Sequence, residues 1–131
     1  MAKKLPTVDI KGSEYTLVKD RILFFNEEYP NGSIRTELLS VPDSQMIVVQ
    51  ARVVPDVEKP SRYFTGLGQE VIGEGYINKT SAMENCETSA VGRALALMGI
   101  GVIDSIASID EINKAENRGK NIPLVDVDDE I

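Results

Sequence analysis

A run of alternating glycines followed by a helix of small residues is the feature that most restricts how this chain can fold. Four glycines alternate with apolar and aromatic residues between residues 62 and 76: Gly66, Gly68, Gly73 and Gly75. Glycine inside a strand marks a bulge or the close approach of another backbone. The helix predicted next, over residues 81–98, contains Ala90, Gly92, Ala94 and Ala96. We therefore expect this helix to pack very closely against a sheet or a neighbouring subunit.

The predicted helix 81–98 has recognisable ends and one apolar stripe. Ser81 and Glu84 have the spacing of a capping box, and Gly99 stands where a helix usually stops. The expected stripe consists of Met83, Cys86, Ala90, Ala94, Leu97 and Met98.

The rest of the chain predicts a helix, three strands and a second short helix. Apolar residues spaced three and four apart predict a helix over Tyr15–Tyr29. Segments 33–41, 45–54 and 62–76 have strand composition and are separated by turn residues. In the second of these we expect a core face made of Ile47, Val49, Ala51 and Val53. Residues 1–14 predict a loose arm or a short strand, and residues 110–117 a short helix.

The predicted fold class is α+β: an N-terminal helix, a three-stranded antiparallel β-meander with a long helix packed on it (β-β-β-α), and a short C-terminal helix. At 131 residues the chain fits one domain, which we place at 1–120, followed by a flexible acidic tail at 121–131. No run of about 18 apolar residues and no signal-peptide core occurs, so we expect a cytoplasmic protein that does not enter a membrane.

The residue inventory argues against catalysis and against a bound metal. The chain has no histidine and one cysteine, Cys86, so the usual zinc sites, haem sites and Ser-His-Asp systems are not available. Cys86 is either a reactive thiol in the first turns of a helix or a small core residue. Glu84 and Glu87 form either an acid pair or a solvated first turn. We expect no enzyme activity, no cofactor and no metal.

The charge is unevenly distributed along the chain. The formal net charge is −7, from 14 basic and 21 acidic residues. The tail contributes four carboxylates (Asp126, Asp128, Asp129 and Glu130) and no basic residue, so residues 1–120 hold 14 basic against 17 acidic groups. A body that is nearly neutral can still present a local basic face.

One group of residues has the composition of a single-strand binding site, which needs cations for phosphates and flat rings on which bases stack. The candidate cations are Arg52, Lys59, Arg62, Lys79 and Arg93, and the candidate stacking residues are Tyr63, Phe64 and Tyr76. For Arg93 the alternative role is an ion pair with Glu70 or Glu87.

Residues 62–101, RYFTGLGQEVIGEGYINKTSAMENCETSAVGRALALMGIG, resemble a group of phage single-stranded DNA-binding or annealing proteins. More distantly they resemble the Rad-fifty-two-type single-strand annealing superfamily, and residues 15–37 are similar to the opening of the same phage group. The resemblance implies a helix against a sheet, subunits in a ring, and single-stranded DNA in a basic groove. It also assigns a DNA contact to Arg93, while Gly92 stands where the superfamily has a second basic residue.

These observations predict sequence-independent binding of single-stranded DNA, with strand annealing or protection in phage recombination or replication inside a bacterial host. We expect a homo-oligomer and a tail that either recruits replication or recombination proteins or has no role. Three alternatives remain: an oligonucleotide-binding barrel of five strands with much the same activity, a phage interaction protein with no nucleic-acid role, and a nuclease, which only scattered carboxylates support.

Overall fold

The computed structural model describes residues 5–41, 45–72 and 79–102. Their elements in chain order are β1 (Val8–Ile10), β2 (Ser13–Tyr15), α1 (Val18–Glu28), β3 (Ser33–Leu38), β4 (Met46–Val54), β5 (Phe64–Val71) and α2 (Lys79–Leu97). β1 and β2 form a separate antiparallel pair, whereas β3, β4 and β5 form an antiparallel sheet in that order. The α+β class and the helix-strand-strand-strand-helix order are confirmed. The helix predicted over 110–117 and the acidic tail lie outside the described residues.

The N-terminal region differs from its prediction. Tyr15, expected in the first helix, belongs to β2, and α1 begins only at Val18. The β1–β2 turn consists of Lys11 and Gly12, which both have positive φ, 49° and 86°. Two consecutive residues of that kind make the tight turn whose twist matches paired strands. The expected loose arm or short strand is therefore a hairpin.

The three-stranded sheet is shorter than the sequence suggested. β3 ends at Leu38, and β5 is Phe64–Val71. Gly73 and Gly75 lie outside the described residues. The predicted core face of β4 is confirmed, because Ile47, Val49, Ala51 and Val53 are all buried. The barrel alternative is wrong for the described residues, since their three-stranded sheet includes neither β1 nor β2.

Helix α2 lies directly on the backbone of β5, as the glycine pattern predicted. A Cβ atom at Gly66 would overlap the carbonyl oxygen of Ala90 and lie 2.5 Å from the amide nitrogen of Ala94. A Cβ at Gly68 would overlap the carbonyl oxygen of Cys86. The helix residues at this contact are small and completely buried, so the helix and strand backbones approach each other with almost no side chain between them.

The ends and the buried stripe of α2 differ in part from their predictions. The helix begins at Lys79, so Ser81 lies inside it and the capping-box interpretation is wrong. The C-terminal stop is confirmed: Gly99 has φ 100°, its amide donates to Ala96, and the Ile100 amide donates to Leu95. Those two bonds form the Schellman arrangement.

The buried side of α2 is also wider than one stripe. Cys86, Ala90 and Ala94 are buried as expected, but Met83 and Leu97 are 47% and 51% exposed. Other residues of α2 belong to the core instead: Ala82, Val91 and Leu95. The apolar stripe predicted from the sequence is that of a helix with one packing partner. In the structure α2 contacts both the sheet and α1.

Helix α1 packs closely on the side of α2 that contains Gly92, where an added Cβ would lie 2.5 Å from a methyl group of Val18. Arg21, which the sequence did not single out, is 4% exposed at this contact. Its Nε donates to the Thr16 carbonyl and its Nη1 to the Gly92 carbonyl, both at 3.1 Å. Desolvation by burial lowers the pKa of this guanidinium.

The α2–β5 contact makes a direct prediction for Gly66→Ala. The added methyl group meets helix backbone that has no freedom to rotate away, so unfolding should become easier by about 2 kcal/mol or more. Thermal denaturation followed by circular dichroism should show a midpoint lowered by about 5 °C or more. Leu67→Ala is the matched control, because Leu67 is the next residue of β5 and is 53% exposed. A Gly66→Ala midpoint equal to that of the control would contradict this close packing.

Candidate functional site

The face of the sheet opposite α2 is a polar surface with two unusual rows. Antiparallel register places Arg35 of β3 directly opposite Arg52 of β4, with Thr65 of β5 next in the row. The following row consists of Glu37, Gln50 and Leu67. Residues paired in this way point to the same face. We call this surface the open face.

The pairing of Arg35 with Arg52 is unfavourable for the isolated protein. Like charges directly opposite each other in neighbouring strands are destabilising. Both side chains are exposed. Within the described residues, neither side chain makes a hydrogen bond or an ion pair, and the Arg52 guanidinium lies over an aromatic ring. An anion held between the two guanidinium groups would relieve their repulsion and satisfy their donors.

A depression of about 410 Å³ lies at these rows, lined by Arg35, Thr36, Glu37, Gln50 and Arg52. The Glu37 and Gln50 side chains also make no hydrogen bond or ion pair in the described part of the chain. The depression therefore offers two cations, a carboxylate and an amide that a ligand can reach.

Arg52 lies over the ring of Tyr63, with its guanidinium carbon 4.3 Å from the ring centroid. A cation at this distance is attracted by the ring electrons. Tyr63 is 45% exposed, so part of its surface remains open to solvent. The structure thus brings together two of the residues that the sequence put forward, one cation and one stacking residue.

The turn between β4 and β5 places further cations at the same end of the sheet. The Asp56 carboxylate accepts from the Asn31 amide at 2.7 Å and from the Glu58 backbone amide at 3.0 Å. The backbone amide of Arg62 donates to the carbonyl of Lys59 at 3.2 Å. These bonds tie the turn to the segment after α1. They also fix the backbone positions from which the Lys59 and Arg62 side chains extend.

Three of the candidate residues lie on the other side of the sheet. Phe64 pairs with Val53, which belongs to the buried face, and the Arg62 guanidinium carbon is 5.0 Å from its ring centroid. Arg93 lies on α2, where its Cβ is next to Gly66. The predicted residues therefore do not form one groove: Arg52 and Tyr63 share the open face, whereas Phe64, Arg93 and the guanidinium of Arg62 lie on the helix side. Lys79 is the first residue of α2, and Tyr76 lies outside the described residues.

Sequence reasoning missed Arg35, Glu37 and Gln50. The two-residue alternation of β3 puts Arg35 and Glu37 on one face, and that signal was present in the sequence. Their position opposite Arg52 and Gln50 depends on the register of the β3–β4 hairpin, whose turn residues, 42–44, are not among those the structure describes.

The remaining sequence candidates have structural explanations. Cys86 is completely buried and its thiol donates to the Ile47 carbonyl at 3.4 Å, which makes it a core residue. The Glu87 carboxylate accepts a hydrogen bond from Thr36 at 2.6 Å. Gly92 lacks a basic side chain because α1 occupies that space. No cluster of acidic or sulfur ligands suited to a metal ion occurs within residues 5–41, 45–72 and 79–102.

The far end of the open face is apolar. Leu39 and Met46 are 47% and 40% exposed, and Leu67 separates them from the arginine row. The open face thus changes from cationic near Tyr63 to apolar near the β3–β4 hairpin.

This geometry defines a class of protein: an α+β domain in which a helix covers one face of the sheet and the other face is polar. The chain belongs to the family described as Slr1353 N-terminal dsRNA-binding domain-like, whose model matches residues 22–98. The match begins within α1, includes the three-stranded sheet, and ends just after α2. This family differs from the phage group and the annealing superfamily that residues 62–101 resemble.

No curated protein and no solved structure shows a significant match to the chain. Neither helix in the described part of the chain is long and apolar enough to cross a membrane.

Proposed function

We propose that this protein binds single-stranded nucleic acid, and single-stranded DNA in particular, through the cationic end of its open face. The observation that supports this most is the Arg35–Arg52 pair, two exposed like charges held opposite each other, neither of which forms an ion pair within the described residues. A phosphate at this position accepts hydrogen bonds from both guanidinium groups. Neighbouring phosphates along the strand reach Lys59 at the same end of the sheet, whereas the Arg62 guanidinium lies over the Phe64 ring on the helix side.

Base stacking on Tyr63 supplies the second part of the interaction. Every base has a flat face, so stacking on an exposed ring contributes about 1–3 kcal/mol per base with little regard to sequence. Arg52 already lies against this ring and limits its motion. Tyr63 is therefore held in place before a base arrives, which reduces the entropy lost on binding.

Duplex RNA is the second candidate ligand, because the family description names double-stranded RNA. Binding of a duplex by shape depends on phosphate and 2′-hydroxyl contacts spread over about 16 base pairs. The open face concentrates its cations at one end instead. We therefore rank single strands first, with annealing or protection of strands as the outcome, no covalent chemistry, and assembly into a homo-oligomer in a phage system.

The decisive measurement is fluorescence anisotropy of the full-length protein with an unstructured oligothymidine, an unstructured oligouridine and an RNA duplex at several salt concentrations. We expect single strands to bind more tightly than the duplex and binding to weaken as salt rises, because bound phosphates release counterions. Tighter binding of the duplex would favour the second candidate. No binding to any of the three ligands at low salt would indicate that the protein has no nucleic-acid role.

Arg35→Ala and Arg52→Ala should each weaken oligothymidine binding and reduce the salt slope by about 0.7, the value for one phosphate contact on a single strand. Lys19→Ala is the matched control: it removes the same charge from an α1 side chain that is 72% exposed and faces Asp20. Equal losses in all three variants would indicate an effect of net charge alone and contradict the proposed site.

Arg93 tests how far the strand extends, because it lies on the helix side of β5. We expect Arg93→Ala to weaken binding of a 20-nucleotide strand, which is long enough to pass from one side of the sheet to the other, while a 6-nucleotide strand binds as before. The fold should survive, since alanine retains the Cβ atom that lies beside Gly66. A lower melting temperature with unchanged affinity for both strands would assign Arg93 a structural role.

The acidic tail should compete with DNA for the same cations. Deleting residues 121–131 removes four carboxylates, and should tighten oligothymidine binding by about 1 kcal/mol at low salt, the upper range for exposed ion pairs. The gain should shrink as salt screens the charges. Equal affinity of the truncated and full-length proteins at every salt concentration would leave partner recruitment or no function for the tail.

A further inference from the structure

The carboxylate of Glu37 is unexpected on a surface that binds only phosphates. It is exposed, lies two residues from Arg35 on the same face of β3, and lines the same depression. A carboxylate there repels phosphate and lowers the local positive potential. Within the described chain it also forms no ion pair with either neighbouring arginine.

We propose that Glu37, with Gln50 opposite it, gives the open face a preference for guanine in single strands. This inference rests on the proposed function and adds a base preference to binding that the arginines and Tyr63 provide for any sequence. Glu37 and Gln50 are directly paired across β3 and β4. Their row is the next one along the sheet from the arginine row, about 7 Å away. A nucleotide whose phosphate contacts the arginines therefore has its base near Glu37.

The hydrogen-bonding pattern of guanine is the one that fits this pair. An ionised carboxylate only accepts hydrogen bonds, and its two oxygens need two adjacent donors. The pairing edge of guanine offers two, the ring N1–H and the exocyclic amino group, followed by the O6 acceptor. The Gln50 amide can donate to that acceptor. Adenine and cytosine place an acceptor beside their single amino group, and thymine places acceptors on both sides of its N–H.

The test uses full-length protein and three 15-nucleotide oligothymidines in which a few separated positions are replaced by guanine, by adenine or by hypoxanthine. Isolated substitutions avoid guanine quadruplexes. Fluorescence anisotropy should show about fivefold tighter binding of the guanine strand than of the adenine strand, the lower range for a bidentate contact with a base. The hypoxanthine strand, which lacks the exocyclic amino group, should fall between them.

Glu37→Gln separates recognition from simple repulsion, because it removes the charge and one acceptor while keeping the shape. We expect the variant to lose its guanine preference and to bind the adenine strand more tightly than the wild type. Glu14→Gln is the matched control, since Glu14 is an exposed carboxylate on the separate β1–β2 hairpin. It should keep the guanine preference.

Two results would overturn the inference. The first is a Glu37→Gln variant that binds all three strands more tightly by the same factor, which would show that Glu37 only repels phosphate. The second is a wild type that binds the three strands equally, which would show that Glu37 selects no base. Both would leave the proposed function intact. If no strand binds, the proposed function fails together with this inference.

Discussion

The contact between the backbones of α2 and β5 is the constraint on which the rest of this structure depends. Gly66 and Gly68 have no Cβ atoms, so the carbonyl groups of Ala90 and Cys86 take the space where those atoms would be. Such a contact buries little surface per residue, but it leaves few ways to arrange the two elements. The helix covers one face of the sheet, and α1 lies against α2 at Gly92. The opposite face of the sheet is thereby free to carry polar residues.

The buried charge of Arg21 shows how the helices are joined without a large core. Burying an ion is costly unless its donors are satisfied. Arg21 donates to a carbonyl before α1 and to a carbonyl within α2, so one side chain links three segments of the chain. Neither partner is a carboxylate, and the guanidinium keeps part of its desolvation cost.

The sequence predicted the fold through local signals and missed features that depend on pairing. The order of elements followed from apolar spacing, and the buried face of β4 followed from simple alternation. The close approach of α2 was predictable because glycine at alternate strand positions has few other uses. The β1–β2 hairpin was missed because its Lys11-Gly12 turn lacks the usual asparagine or aspartate. Ser81 was taken for a helix cap because no local signal marks a start at Lys79.

The candidate site was predictable only in part, for the same physical reason. Arg52 and Tyr63 were chosen by residue type, and the structure places them in contact. Phe64 and Arg93 were chosen in the same way, but strand alternation sends Phe64 to the opposite face from Tyr63. Arg35 was not chosen at all, because a cation becomes informative only when another lies opposite it. Strand register depends on pairing between residues that are far apart in the chain, so it cannot be predicted from residue composition.

The acidic net charge and the small cationic area are compatible if binding is local. A protein that coats nucleic acid through its overall field needs a positive body, and residues 1–120 carry a net charge of −3. At physiological salt, however, fields are screened within about 8 Å, so a strand at the arginine row senses mainly the groups beside it. Distant carboxylates then slow the approach of nucleic acid and weaken non-specific contacts. Glu37 has a different effect because it lies within that distance. In the proposed guanine contact, its repulsion of phosphate is offset only by a ligand that also offers it two hydrogen-bond donors, so one carboxylate among arginines would convert general affinity into a preference for one base.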